Sequence, residues 1–137
     1  MLEVLKTDEI DARTKHLIIM VGLPYSGKST QAKAYEYPMV NPDSIRGAIY
    51  GGKFIPSAEG HVWAIAETMV RALFMAGHDR VVIDATNTTP ERRKQWTKGR
   101  WSHSFHCVNT DIDKCKQRAE EAGDFDMISI IEGMAEK

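Results

Sequence analysis

Two kinds of hydrophobic spacing alternate along this chain. Leu17-Ile18-Ile19-Met20-Val21 and Val81-Val82-Ile83 are unbroken apolar runs rich in β-branched residues, the pattern of strands buried on both faces. Elsewhere apolar positions recur every three or four residues. Val62, Ile65, Ala66, Met69, Val70, Leu73 and Phe74 form one such face, predicting a long helix over about 58–76 with Gly77 closing it. Shorter helices are expected over 28–36, ended by Tyr37-Pro38, and from an Asn41 cap through Pro42 to Gly51-Gly52. Met39-Val40 fits a short strand and 53–57 a loop. Thr89-Pro90 opens another helix, 102–108 predicts a strand, and 111–122 a polar helix. Phe125, Ile128, Ile131 and Met134, at three-residue steps, predict a closing helix.

Strands alternating with helices imply an α/β fold, a parallel sheet covered on both faces. Ligands then sit at the C-terminal ends of the strands, where Gly22, Asp43 and Asp84 fall. The 137 residues suit one domain over 1–137. Its expected parts are a leader over 1–15, a core over 16–111, and a lid remnant with closing helix over 112–137. The leader carries Leu2, Val4, Leu5 and Ile10 among polar residues and is expected to pack beside the first strand.

The first strand runs into Gly22-Leu23-Pro24-Tyr25-Ser26-Gly27-Lys28-Ser29-Thr30, a G-x-x-x-x-G-K-S phosphate loop. Gly22 and Gly27 permit backbone shapes that point several N–H groups inward, where a β-carbon would obstruct. Lys28 is placed to meet the β- and γ-phosphates, and the Ser29 hydroxyl to ligate Mg²⁺. The helix opening near Lys28 adds its positive end. This motif, at a strand end and before a helix, is specific for nucleotide binding.

Other candidates follow from position. Asp84 ends an apolar strand, where a carboxylate can hold the water shell of Mg²⁺, although the same residue type also forms turns. Asp43 is a candidate general base, but acids are favoured in the first turn of any helix. Arg46 lies one helical turn on and can fork against a phosphate; its spacing fits a surface arginine or a partner of Asp84 as well. Thr86 and Asn87 can contact an acceptor or position Arg46, or serve only as turn residues.

Net charge and composition narrow the field. A formal charge of −1 argues against a dedicated binder of long nucleic acid, not against an enzyme that grips a strand end. Arg92-Arg93-Lys94, Lys98 and Arg100 lie near Trp96 and Trp101, and such a run is usually a solvated helix face around a core tryptophan. His103 and His106 point to opposite faces of a strand, so with Cys107 they make no metal site. Cys107 and Cys115 fit reduced thiols in a cytoplasmic setting, and no apolar run approaches a membrane span.

Three segments together, Gly22 to Thr30, Asn41-Pro42-Asp43-Ser44-Ile45-Arg46, and Val82-Ile83-Asp84-Ala85-Thr86-Asn87-Thr88-Thr89-Pro90-Glu91-Arg92-Arg93, resemble the P-loop kinases typified by the 5′-kinase domain of bacteriophage polynucleotide kinase and its bacterial relatives. The resemblance implies a three-layer P-loop NTPase fold of the nucleotide-kinase kind. It implies Asp43 as the base on a 5′-hydroxyl, Arg46 on the acceptor phosphate, and Lys28 and Ser29 serving ATP (or another NTP) and Mg²⁺. The chain departs from the family at Tyr25, where a small residue is usual. It departs again in the lid, where Arg118 matches the first of several arginines but Ala119-Glu120-Glu121-Ala122 follows. The lid is therefore expected to be reduced, with Arg118 its catalytic residue.

The expected function is transfer of the γ-phosphate of ATP to a hydroxyl, foremost the 5′-hydroxyl of a nucleic-acid end. Two rival readings stay open: a kinase of a nucleoside, nucleotide or other small molecule, and an ATP-binding protein with little transferase activity.

Overall fold

The computed structural model describes residues 12–136. Four strands, β1 (His16–Val21), β2 (Met39–Val40), β3 (Arg80–Ile83) and β4 (Ser102–Cys107), form one sheet in the order β2-β3-β1-β4. All pairings are parallel, with Ile18 opposite Val82, Val40 opposite Ile83 and Val21 opposite Cys107. The helices are α1 (Lys28–Ala34), α2 (Pro42–Tyr50), α3 (Glu59–Met75), α4 (Pro90–Gln95), α5 (Ile112–Glu121) and α6 (Asp126–Ala135). Leu2, Val4, Leu5 and Ile10, expected in the leader, lie outside the described residues.

Because side chains alternate along a strand, each central strand feeds two cores. Leu17, Ile19, Val81 and Ile83 face α2, α3 and the two buried indoles of Trp96 and Trp101. Ile18, Met20 and Val82 face Ala32 of α1 and Val108. Val62, Ala66, Val70 and Phe74, spaced four apart, form the buried stripe of α3. Truncating Phe74 to alanine would cost roughly 3–5 kcal/mol. A third cluster joins α5 and α6 through Cys115, Ala119 and Ile131 and includes Leu23 and Tyr25 of the phosphate loop.

Local chemistry sets the helix ends. Asn41 caps α2 by accepting from the Asp43 N–H at 2.8 Å, with Pro42 in the first turn. Thr89 caps α4 in the same way. After α3, Gly77 takes φ +107°, and the His78 N–H bonds the Leu73 carbonyl, a Schellman closure. Two expectations shift. Helix α1 stops at Ala34 rather than residue 36, because Glu36 turns to φ +60°. The loop over 53–57 closes into a 3₁₀ turn, Pro56–Ala58, that leads straight into α3.

Candidate active site

The phosphate loop leaves β1 and is pinned at its first glycine. The Gly22 N–H donates to the Thr86 carbonyl at 3.0 Å, and a β-carbon on Gly22 would lie 2.9 Å from Ser26 Oγ and 3.3 Å from the Val108 carbonyl. Only glycine fits so close an approach. Gly27 adopts φ +91° at the start of α1, the left-handed turn by which the chain leaves the loop for the helix. The loop bounds a cavity of about 300 Å³, lined by Leu23, Tyr25, Ser26, Gly27, Lys28, Ser29, Thr30 and Arg118. Ser26 Oγ is buried beside it and has no partner among the described residues, a hydroxyl available to a phosphate oxygen.

Asp84, at the end of β3, is almost fully buried, and three donors converge on it. Lys28 Nζ donates at 3.0 Å to Oδ1, Ser29 Oγ at 2.8 Å to Oδ2, and Asn41 Nδ2 at 3.2 Å to Oδ2. A carboxylate so removed from water keeps its charge only when paired and hydrogen-bonded. The Ser29 hydroxyl and the Asp84 carboxylate are hard oxygens side by side. That donor set fits Mg²⁺, which takes one or two protein oxygens and completes its shell with water and phosphate oxygens. Among the described residues no group of three or more His, Cys, Asp or Glu side chains could hold an ion by itself.

Asn41 links this centre to the next. Its amide reaches Asp84 while its carbonyl oxygen caps α2, so the first turn of α2, with Asp43, stands beside the phosphate loop. The Asp43 side chain is 86% exposed and accepts from Arg46 Nη1 at 2.5 Å. Arg46 does not reach Asp84. Its Nε and Nη2 grip Glu59, at the start of α3, at 2.8 and 2.5 Å. The bonds from Arg46 hold the Glu59 carboxyl below its ordinary value against the opposing effect of burial, and those to Glu59 raise the Arg46 guanidinium. Trp63 stacks nearby, its ring 5.9 Å from Arg46 Cζ and 3.6 Å from Arg92 Cζ. Burial lowers the Arg92 guanidinium.

The remaining sequence candidates divide. Arg118 reaches the loop from α5, donating through Nη1 to the Tyr25 carbonyl at 3.0 Å. The Tyr25 hydroxyl donates to Asp124 Oδ2 at 2.9 Å, a bond that raises the phenol, so two contacts hold Tyr25 in its φ +64° conformation. Its ring turns into the α5–α6 cluster. On the same helix, Lys116 pairs with Glu132 at 2.8 Å. Thr86 contributes its carbonyl to Gly22. Asn87 is buried at φ +49°, its amide donating to the Met20 carbonyl at 2.7 Å and its oxygen accepting from Trp96 Nε1 at 3.1 Å. Its side chain is thus engaged with β1 and with Trp96 at the end of α4. The basic run is also turned inward in part: Arg93 donates to the Asn87 carbonyl and Arg92 to Gln95.

Sequence reasoning gave Asn41 only its capping role and missed Glu59, Trp63 and Asp124. Glu59 lies thirteen residues beyond Arg46 on another helix, a spacing with no local signal.

No curated protein matches the sequence. Among solved structures, a chain of the Pnkp1/Rnl/Hen1 complex is similar at 27% identity and TM-score 0.69, covering 77% of this chain and 39% of that one. A chain of the Pnkp1/Rnl/Hen1 RNA repair complex is similar at 23% identity and TM-score 0.66, covering 88% and 46%. This protein thus spans less than half the length of those chains. A gluconokinase from Sinorhizobium meliloti 1021 shares the fold at 19% identity and TM-score 0.59, covering 90% and 74%. Residues 17–123 match the family described as an AAA domain, so the chain belongs to that family, and its parallel sheet flanked by helices gives it a P-loop kinase fold that resembles polynucleotide kinase.

Proposed function

We propose that this protein transfers the γ-phosphate of ATP to the 5′-hydroxyl of a polynucleotide end. The observation that carries the reading is the Asn41 bridge. One amide side chain ties the carboxylate beneath the phosphate loop to the helix turn that presents Asp43 and Arg46. Donor and acceptor machinery are thereby mounted on one rigid ridge at the strand ends.

Lys28, the loop amides and Ser26 Oγ would bind the triphosphate, with Arg118 at its rim. Ser29, with Asp84 behind it, would hold Mg²⁺, which would supply positive charge to the triphosphate. The acceptor oxygen forms its bond to the γ-phosphorus as the β,γ-bridging bond breaks and ADP leaves. The hydroxyl proton passes to the Asp43 carboxylate. Arg46 would orient the acceptor with the guanidinium N–H groups not committed to Asp43 and Glu59, and Thr86 would contact it. Residues 1–137 would act as a single kinase domain, with 112–137 supplying a lid remnant and closing helix.

Supporting the reading are the order of the three motifs and the 27% identical neighbour from a complex whose name carries Pnkp1. The formal charge of −1 favours a second reading, a small-molecule hydroxyl as acceptor. Transfer of label from γ-labelled ATP to a 5′-hydroxyl oligonucleotide, set beside nucleosides, nucleotides and gluconate, decides between them. Label on the oligonucleotide end supports the first; label only on a small acceptor replaces it with the second.

A further inference from the structure

We propose that Glu59 is the positioning residue of the acceptor side, holding the Arg46 guanidinium in one orientation and through it setting the Asp43 carboxylate. The inference rests on the phosphotransfer reading above. Glu59 opens α3, where the helix dipole favours an acid of any orientation. The orientation found is specific. Both Glu59 oxygens are used, against two different nitrogens of Arg46, at 2.8 and 2.5 Å. The guanidinium is planar and rigid, so fixing its Nε–Nη2 edge also fixes the direction of Nη1. That nitrogen donates to Asp43 Oδ1.

Exposure separates the parts. The Arg46 and Glu59 side chains are 15% and 18% exposed, whereas Asp43 stands in solvent. The fork is the sheltered anchor, Arg46 the stiff arm, and Asp43 the working end. Trp63, one turn along α3 from Glu59, walls the fork, and Arg92 stacks on Trp63 with its charge also facing Glu59. Two acids and two guanidiniums therefore balance in this corner. Without Glu59, Arg46 would keep Asp43 as its one carboxylate partner among the described residues and lose the edge that aims it. A free exposed Asp43 samples many rotamers, and proton acceptance in the transition state requires one of them.

The rival role is a plain staple between α2 and α3, and a double-mutant cycle separates the two. In oligonucleotide 5′-phosphorylation at saturating ATP, Glu59→Ala is expected to lower kcat by about tenfold to a hundredfold, the scale of a misplaced catalytic group. The KM for ATP stays near wild type, and the variant, less stable without the fork, remains folded at the assay temperature. Arg46→Ala lowers kcat at least as far, and the double variant is no slower than Arg46→Ala alone. Glu59→Gln, which keeps one acceptor oxygen, recovers part of the loss. By NMR, the Arg46 Nε–H exchanges slowly in wild type and in Asp43→Ala, and that protection disappears in Glu59→Ala. Losses that multiply in the double variant, an unchanged kcat in Glu59→Ala, or a loss that follows the fraction unfolded would each overturn the proposal. A wild-type protein that labels no acceptor overturns the functional reading and removes the positioning role with it; a protein that labels strands while the cycle is additive overturns the positioning role alone.

Discussion

Asn41 Nδ2 lies 3.2 Å from Asp84 Oδ2, while the Oδ1 of the same amide accepts the Asp43 N–H at 2.8 Å. One side chain therefore couples the end of β3 to the first turn of α2. The Asp84 carboxylate that anchors Lys28 and Ser29 and the backbone of Asp43 are held in fixed relation through it.

Asp84 accepts three donors in a site closed to water, so Asp84→Asn presents an NH₂ group to donors and strands the Lys28 ammonium. Breaking a buried pair in this way costs about 3–5 kcal/mol. Thermal denaturation should show a fall in Tm of several degrees, and ATP binding by calorimetry should weaken with it. A variant with wild-type Tm and ATP affinity would remove Asp84 from the centre of the site.

Asp43 is exposed and supports no core contact, so Asp43→Asn should leave the Tm and ATP affinity unchanged. Loss of a general base lowers turnover by about 10²–10⁴-fold. Steady-state label transfer at saturating ATP measures it, and near-normal turnover would assign proton acceptance elsewhere.

Asn87→Ala leaves the Met20 carbonyl and the Trp96 indole N–H without their partners and places alanine at φ +49°. Each unsatisfied buried group costs about 1–3 kcal/mol. Chemical denaturation should show a loss of at least about 2 kcal/mol. Thr86→Ala keeps the carbonyl that binds Gly22, and its stability should stay within about 0.5 kcal/mol of wild type. A rise in acceptor KM for Thr86→Ala at normal stability would mark Thr86 as an acceptor contact.

The Glu59 carboxyl is held below its ordinary value, first by its bonds from Arg46. A depressed acid contributes stability that is complete above its unfolded value near 4.5 and is lost as pH falls through the lower folded value. Wild type should therefore lose Tm on acidification below about pH 4.5. Glu59→Gln takes up no proton there; it should start less stable at neutral pH and lose less over the same window. Parallel Tm profiles for the two proteins would show that the fork adds nothing to stability.

Hydrophobic spacing, together with cap, proline and glycine signals, indicated where most strands and helices lie, because burial on a sheet or along a helix stripe imposes periods of two and 3.6 and helix ends need their own partners. The phosphate loop was legible for a related reason. Its glycines, lysine and serine act within one continuous turn, so spacing along the chain is spacing in space. Tertiary structure decided the rest. The partners of Asp84 come from the phosphate loop and the α2 cap, those of Arg46 include the start of α3, and Tyr25 is tied to Asp124 across 99 positions. Asn87, equally plausible in sequence as a turn former or an acceptor contact, was committed to Met20 and Trp96 only when β1, β3 and α4 came together. Such pairings depend on which strand ends the parallel crossovers bring to one edge, and no local period encodes that.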